Sequence, residues 1–165
     1  MKPVYQTITG RRLNLEGLSA DERKLLIAIE KKFRARPDWT EFAAWWGGHF
    51  RKVHLPANSV VRRVCRDLEA RLGIAQGKVA APDYRDYLAD LIEERFGSRY
   101  RFCEAAGIDP GQLSRVFASR SDLSLPALQR IVHVLGAALV IQGEEAVEAK
   151  ASTKEAIRAL AAITA

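Results

Sequence analysis

Apolar positions recur at two periods along this chain. Val4–Thr9 alternates apolar and polar side chains, as a half-buried strand does, and Gly10 ends the run. From Ser19 the period lengthens to that of a helix. Ser19 and Glu22 have the spacing of a capping box, and Leu25, Leu26, Ile29 and Phe33 form one face to about Arg36, where Pro37 stops it. A second helix starts at Asp38 with Trp39, Phe42, Trp46, Phe50 and Val53 on one side. Leu55–Asn58 reads as a turn. A third helix is capped by Ser59; it sets Val61, Val64, Cys65, Leu68 and Leu72 inward, sets Arg62, Arg63, Arg66 and Arg71 outward, and ends at Gly73. Residues 73–82 are small, short and closed by a proline, which marks a linker. Asp83 opens a fourth helix with Tyr84, Tyr87, Leu88, Leu91, Ile92 and Phe96 as its stripe.

Two short helical patterns follow around Gly107. The first starts after Ser98 and buries Phe102, Cys103 and Ala106. Gly107 supplies the left-handed residue that a tight inter-helix turn needs, and Ile108 plugs the corner. Asp109 then caps a helix whose first position is Pro110, where a missing N–H costs nothing. Leu113 and Val116 point to the core. Gln112, Arg115 and Ser119 share the outer face, with Ser114 beside them. A helix of this size fits the DNA major groove; arginine grips guanine and glutamine grips adenine through paired hydrogen bonds. The N-termini at Ser98 and Asp109 offer N–H groups to phosphates.

The string AAGIDPGQLSRVF, Ala105–Phe117, resembles the helix-turn-helix of the lambda-repressor-like (XRE/Cro) DNA-binding regulators. The likeness extends over about residues 84–142. SLPALQRIVHVLG is similar to that family's next helix, capped by Ser124, with Leu125, Leu128, Ile131, Val132 and Leu135 buried. Ala137–Ile141 is similar to the short strand that antitoxin-type members place near a dimer interface. Arg99 stands where many members have a glutamine that secures a phosphate, and replaces it by charge. Pro110 and Gly111 occupy positions that often read bases, which shifts readout to Gln112 and Arg115. Phe117 stands where a glutamate is common, and its expected partner is Leu91 or Ile92. The loop ASRSDLS matches the family's loop, with Arg120 toward a phosphate.

Charge sharpens the picture. Net charge is +6, yet residues 1–80 carry +8 and residues 81–165 carry −2. The basic half also holds Trp39, Trp45 and Trp46. The aromatic stripe of the second helix reads as core. Arg62, Arg63 and Arg66 are an auxiliary DNA patch, a patch for an acidic partner, or a solvated face. Asp86, Asp90, Glu93 and Glu94 form a solvent face turned from DNA. Chemistry has few candidates. His49 and His54 lack the glutamate of a zinc helix, His133 sits on scaffold, and GIAQGK (Gly73–Lys78) is one residue short of a phosphate loop and lacks its Ser/Thr. Cys65 and Cys103 lie too far apart for a CxxC site, which predicts a reducing compartment.

The expectation is therefore an all-α protein: a helical interaction or regulatory region over 1–80, a helix-turn-helix DNA-binding domain with a short C-terminal strand over 83–142, and a helical tail over 143–165 in which Ala156, Ile157, Leu160 and Ile163 share a face. The resemblance implies a sequence-specific transcriptional regulator of the repressor kind. It would be a cytoplasmic homodimer on double-stranded DNA, using Arg99, Arg101, Gln112, Ser114, Arg115, Ser119 and Arg120, with no enzymatic activity, cofactor, metal or membrane span. The alternative is an antitoxin-type component that neutralises a partner enzyme through residues 1–80.

Overall fold

The computed structural model describes residues 4–56 and 58–140, which fall into two compact units, one up to Ala81 and the other from Pro82. The unit up to Ala81 opens with a β-hairpin. β1 (Val4–Gln6) pairs antiparallel with β2 (Arg12–Asn14), Tyr5 opposite Leu13. The predicted strand over 4–9 is thus cut at Gln6, and its partner was not anticipated. Thr7 turns the chain early: its Oγ1 accepts from the Arg11 N–H at 3.0 Å and its C=O from the Gly10 N–H at 2.9 Å. Arg12–Asn14 contains a single apolar residue, too little to display a period. The fold is mostly helical rather than purely so.

α1 (Ala20–Arg34) carries the expected Ser19/Glu22 capping box. α2 (Trp39–Lys52) is capped by the Asp38 carboxylate and passes through Gly47 and Gly48 without a break. α3 (Val60–Ala75) is capped by Ser59. Their apolar faces meet over Tyr5, Leu13, Leu25, Leu26, Ile29, Phe33, Phe42, Phe50, Val61, Val64 and Leu68. Phe42 is fully buried, and Trp45 and Trp46 pack against the same core, so the aromatic stripe is structural, as expected.

α3 departs from expectation twice. It continues through Gly73 to Ala75, because Gly73 is where the chain after the helix closes back: a Cβ there would lie 2.6 Å from Val79 Cγ2 and 3.1 Å from Trp39 Nε1. The helix ends instead on Gly77, with the Lys78 N–H bound to the Gly73 C=O at 2.8 Å. Gln76 donates to the Pro37 C=O at 2.8 Å and accepts from the Trp39 N–H at 3.0 Å. Residues 73–79 are thus folded parts of this unit, not linker, and hold no phosphate loop.

Arg71 is the second departure: it is buried, not solvent-facing. Its Nε donates to Asp67 Oδ2 at 2.7 Å and its Nη2 to the Gln6 C=O at 3.1 Å. Asp67 also accepts from the Tyr5 hydroxyl and from the Ile8 N–H at 2.7 Å. A buried aspartate is tolerable only when its oxygens are filled, and the hairpin fills them. The cluster pins the hairpin to α3. Burial and the adjacent carboxylate raise the Tyr5 phenol well above its ordinary pKa.

In the other unit, α4 (Tyr84–Phe96), α5 (Arg99–Ala106), α6 (Pro110–Phe117) and α7 (Leu125–Val134) enclose Leu88, Ile92, Phe102, Cys103, Leu113, Ile131, Val132 and Leu135. Two expected core residues face outward: Tyr87 is 43% exposed and Leu125 61%. Leu125 is the first residue of α7, before the helix has turned its apolar face inward. α7 ends on Gly136, where the Ala137 N–H returns to the Val132 C=O at 3.0 Å. Ala137–Val140 pair with no strand of this chain among the described residues; the expected strand over 137–141 belongs near a dimer interface, where its partner would be a second copy. Ile141 and the predicted tail over 143–165 lie outside the described residues. Among the described residues no helix is long and apolar enough to cross a membrane.

Candidate nucleic-acid interface

The turn between α5 and α6 is built as its residues require. Ser98 caps α5, its Oγ accepting from the Arg101 N–H at 3.3 Å. Gly107 takes φ 62°, and the Ile108 N–H reaches back to the Cys103 C=O at 3.1 Å while its side chain packs on the core. This is the left-handed closure that joins helices with no spare residues. Asp109 caps α6 through Oδ2, which accepts from the Gln112 N–H at 2.6 Å. Leu113 and Val116 are buried to within 1% and seat α6; each contributes about 1.5–3 kcal/mol by leaving water.

Seating fixes what faces outward. All seven candidate residues are exposed: Arg99 and Arg101 on the first turn of α5, Gln112, Ser114 and Arg115 on α6, and Ser119 and Arg120 just beyond it. Gly111 matters to Arg115. A Cβ at Gly111 would lie 3.7 Å from Arg115 Nη1, so this guanidinium lies forward over the first turn of α6, close to the space a side chain at position 111 would take. The helix then closes on Ser119 at φ 56°, with the Arg120 N–H bound to the Arg115 C=O at 2.9 Å. The following loop is tied to α4: Asp122 accepts from the Tyr84 hydroxyl at 3.0 Å and from Arg85.

Three details revise the expectation. The α6 N-terminus offers less to a phosphate than expected, because Pro110 has no N–H and the Asp109 carboxylate already occupies that of Gln112, which leaves the Gly111 N–H. Phe117 is half-buried against the core cluster that includes Ile92, and its ring also carries the Arg99 guanidinium, centred 4.5 Å from the ring centroid. Tyr100 was overlooked: it is 65% exposed between Arg99 and Arg101. The signal was an aromatic residue off the Phe102/Cys103/Ala106 period, on the polar side of its helix.

Charge in this unit is arranged rather than abundant. Residues 82–140 contain seven arginines and eight carboxylates, so any attraction for a polyanion rests on where the arginines sit. Asp86, Glu93 and Glu94 of α4 are exposed and Asp90 is half-buried. A cavity of about 230 Å³ lies between the turn and α7, lined by Ile108, Gln112, Leu113, Leu123, Arg130 and Ile131 among others.

The other unit offers less. Arg66 is exposed, while Arg62 and Arg63 are half-buried. His49 stacks on Trp45 with ring centroids 4.2 Å apart and bonds its C=O through Nδ1 at 2.9 Å. Among the described residues no group of histidines, cysteines and carboxylates has metal-binding geometry. Comparison with known proteins finds no matching family model, curated protein or solved structure.

Proposed function

We propose that the unit beginning at Pro82 binds duplex DNA with α6 in the major groove, and that the chain is a sequence-specific transcriptional regulator, a cytoplasmic repressor acting as a homodimer. The observation that supports this reading is the division of α6 into a buried underside, Leu113 and Val116, and an exposed polar face, Gln112, Ser114 and Arg115, flanked by exposed Arg99, Arg101 and Arg120. Arg115 is the base-reading candidate, through paired donors to one guanine; the other arginines address phosphates. Selection from a random duplex pool tests it. Enrichment of a sequence that Arg115→Ala no longer prefers supports the reading; no retention of any duplex at low salt overturns it.

A second reading draws on the concentration of positive charge in residues 1–80. There the same chain neutralises an acidic partner enzyme and represses its own operon. Charge reversal at Arg62, Arg63 and Arg66 would then abolish partner binding and spare DNA binding.

A further inference from the structure

We propose that Phe117 is a positioning residue for DNA contact: its ring holds the Arg99 guanidinium in the place from which it meets a phosphate. The inference rests on the DNA-binding reading above and extends it to a residue that touches no nucleic acid.

Arg99 is the first residue of α5, and Phe117 is the last residue of α6. The two are far apart in sequence, yet the guanidinium carbon stands 4.5 Å from the ring centroid. A guanidinium over a phenyl ring is attractive, and its five N–H donors are more than the ring occupies. Among the described residues no carboxylate pairs with Arg99. Phe117 is itself anchored, half-buried against the core that Leu88 and Ile92 build. The platform is therefore fixed while the cation it carries is exposed.

An arginine free in solvent loses rotamer freedom when it grips a phosphate, at a cost of about 0.5–1.5 kcal/mol. One that is already stacked has less to lose. The stack also spans the motif, joining the start of α5 to the end of α6. The phosphate contact and the groove-facing helix are thereby set at a fixed spacing.

The experiment is a double-mutant cycle on duplex binding, read as affinity against salt in the full chain. Arg99→Ala should flatten the slope of log K against log salt by about 0.9 and weaken binding about eightfold at 0.1 M salt, the value of one phosphate contact. Phe117→Leu keeps an apolar residue on the core and removes the ring; it should weaken binding about two- to eightfold, no more than the loss of Arg99 itself. Phe117→Tyr keeps the ring face and should bind as wild type. In the Arg99→Ala background, Phe117→Leu should have no further effect on binding. A merely structural Phe117 would weaken binding equally in both backgrounds, and that additive result overturns the inference, as does failure of Phe117→Tyr to rescue. If the wild-type chain retains no duplex at low salt, the DNA-binding reading itself falls and the inference with it.

Discussion

Asp67→Ala is the substitution to which the unit up to Ala81 should be most sensitive. The carboxylate accepts three hydrogen bonds, from the Tyr5 hydroxyl, the Ile8 N–H and Arg71 Nε, and its side chain and that of Arg71 are each only 5% exposed. Alanine leaves a buried guanidinium with the Gln6 C=O as its remaining partner. Removing one member of a buried ion pair costs about 3–5 kcal/mol, most of it the charge left behind. A domain of this size has about 5 kcal/mol or little more in total. The variant should therefore be largely unfolded in this unit at 37 °C. By contrast Tyr5→Phe leaves Asp67 two donors and should cost about 1.5–3 kcal/mol. All three tryptophans, Trp39, Trp45 and Trp46, lie in this unit, so tryptophan-monitored urea unfolding reports it selectively. Asp67→Leu combined with Arg71→Met should recover most of the loss, since no unpaired charge remains. A shift below about 1 kcal/mol for Asp67→Ala would refute the view that this cluster clamps the hairpin to α3.

Backbone conformation predicts opposite effects at the two ends of α6. Ser119 sits at φ 56°, so Ser119→Gly should raise stability by about 0.5–1 kcal/mol, whereas Gly107→Ala, at φ 62°, should lower it by about 1 kcal/mol, both read from circular-dichroism melts. Burial pushes the Cys65 thiol up to about 12 and, with Asp67, raises the Tyr5 phenol. Both groups hold their protons more tightly when folded, so their contribution is complete below the unfolded values near 8.5 and 10 and is lost as pH rises past them. The urea midpoint should fall between pH 8 and pH 10.5. At the acid end, bonds from the Thr40 side chain and backbone lower the Asp38 carboxyl, and the Arg85 N–H lowers Asp83. Depressed carboxyls stabilise above their unfolded value near 3.9 and cease to do so as pH falls, so Asp38→Ala should shift the midpoint more at pH 7 than at pH 3.

Where local chemistry decides structure, the residues announced it. Ser19, Asp38, Ser59, Asp83, Ser98, Asp109 and Ser124 all cap the helices expected of them. The α5–α6 turn was legible for the same reason, since Gly107, Ile108, Asp109 and Pro110 each act within a few residues. Long-range contacts were not legible. Nothing near Arg71 shows that Tyr5 and Asp67 will bury it, and Gly73 reads as a helix end until Trp39 and Val79 are seen against it. The β2 strand is visible only through its partner. In the candidate interface, helical periodicity was enough to place Gln112, Ser114 and Arg115 outward. The Arg99–Phe117 stack depends on how two helices meet, and position along the chain does not encode that.

Guanine methylation interference on the selected duplex is the most direct test of the central claim, that Arg115 reads a base from within the major groove. Methylating guanine N7 removes the acceptor an arginine grips there. Blocked binding at one or more guanines, with interference at one of them abolished by Arg115→Ala, is the predicted result. Binding that ignores both N7 methylation and Arg115→Ala, and follows only the salt concentration, would contradict it.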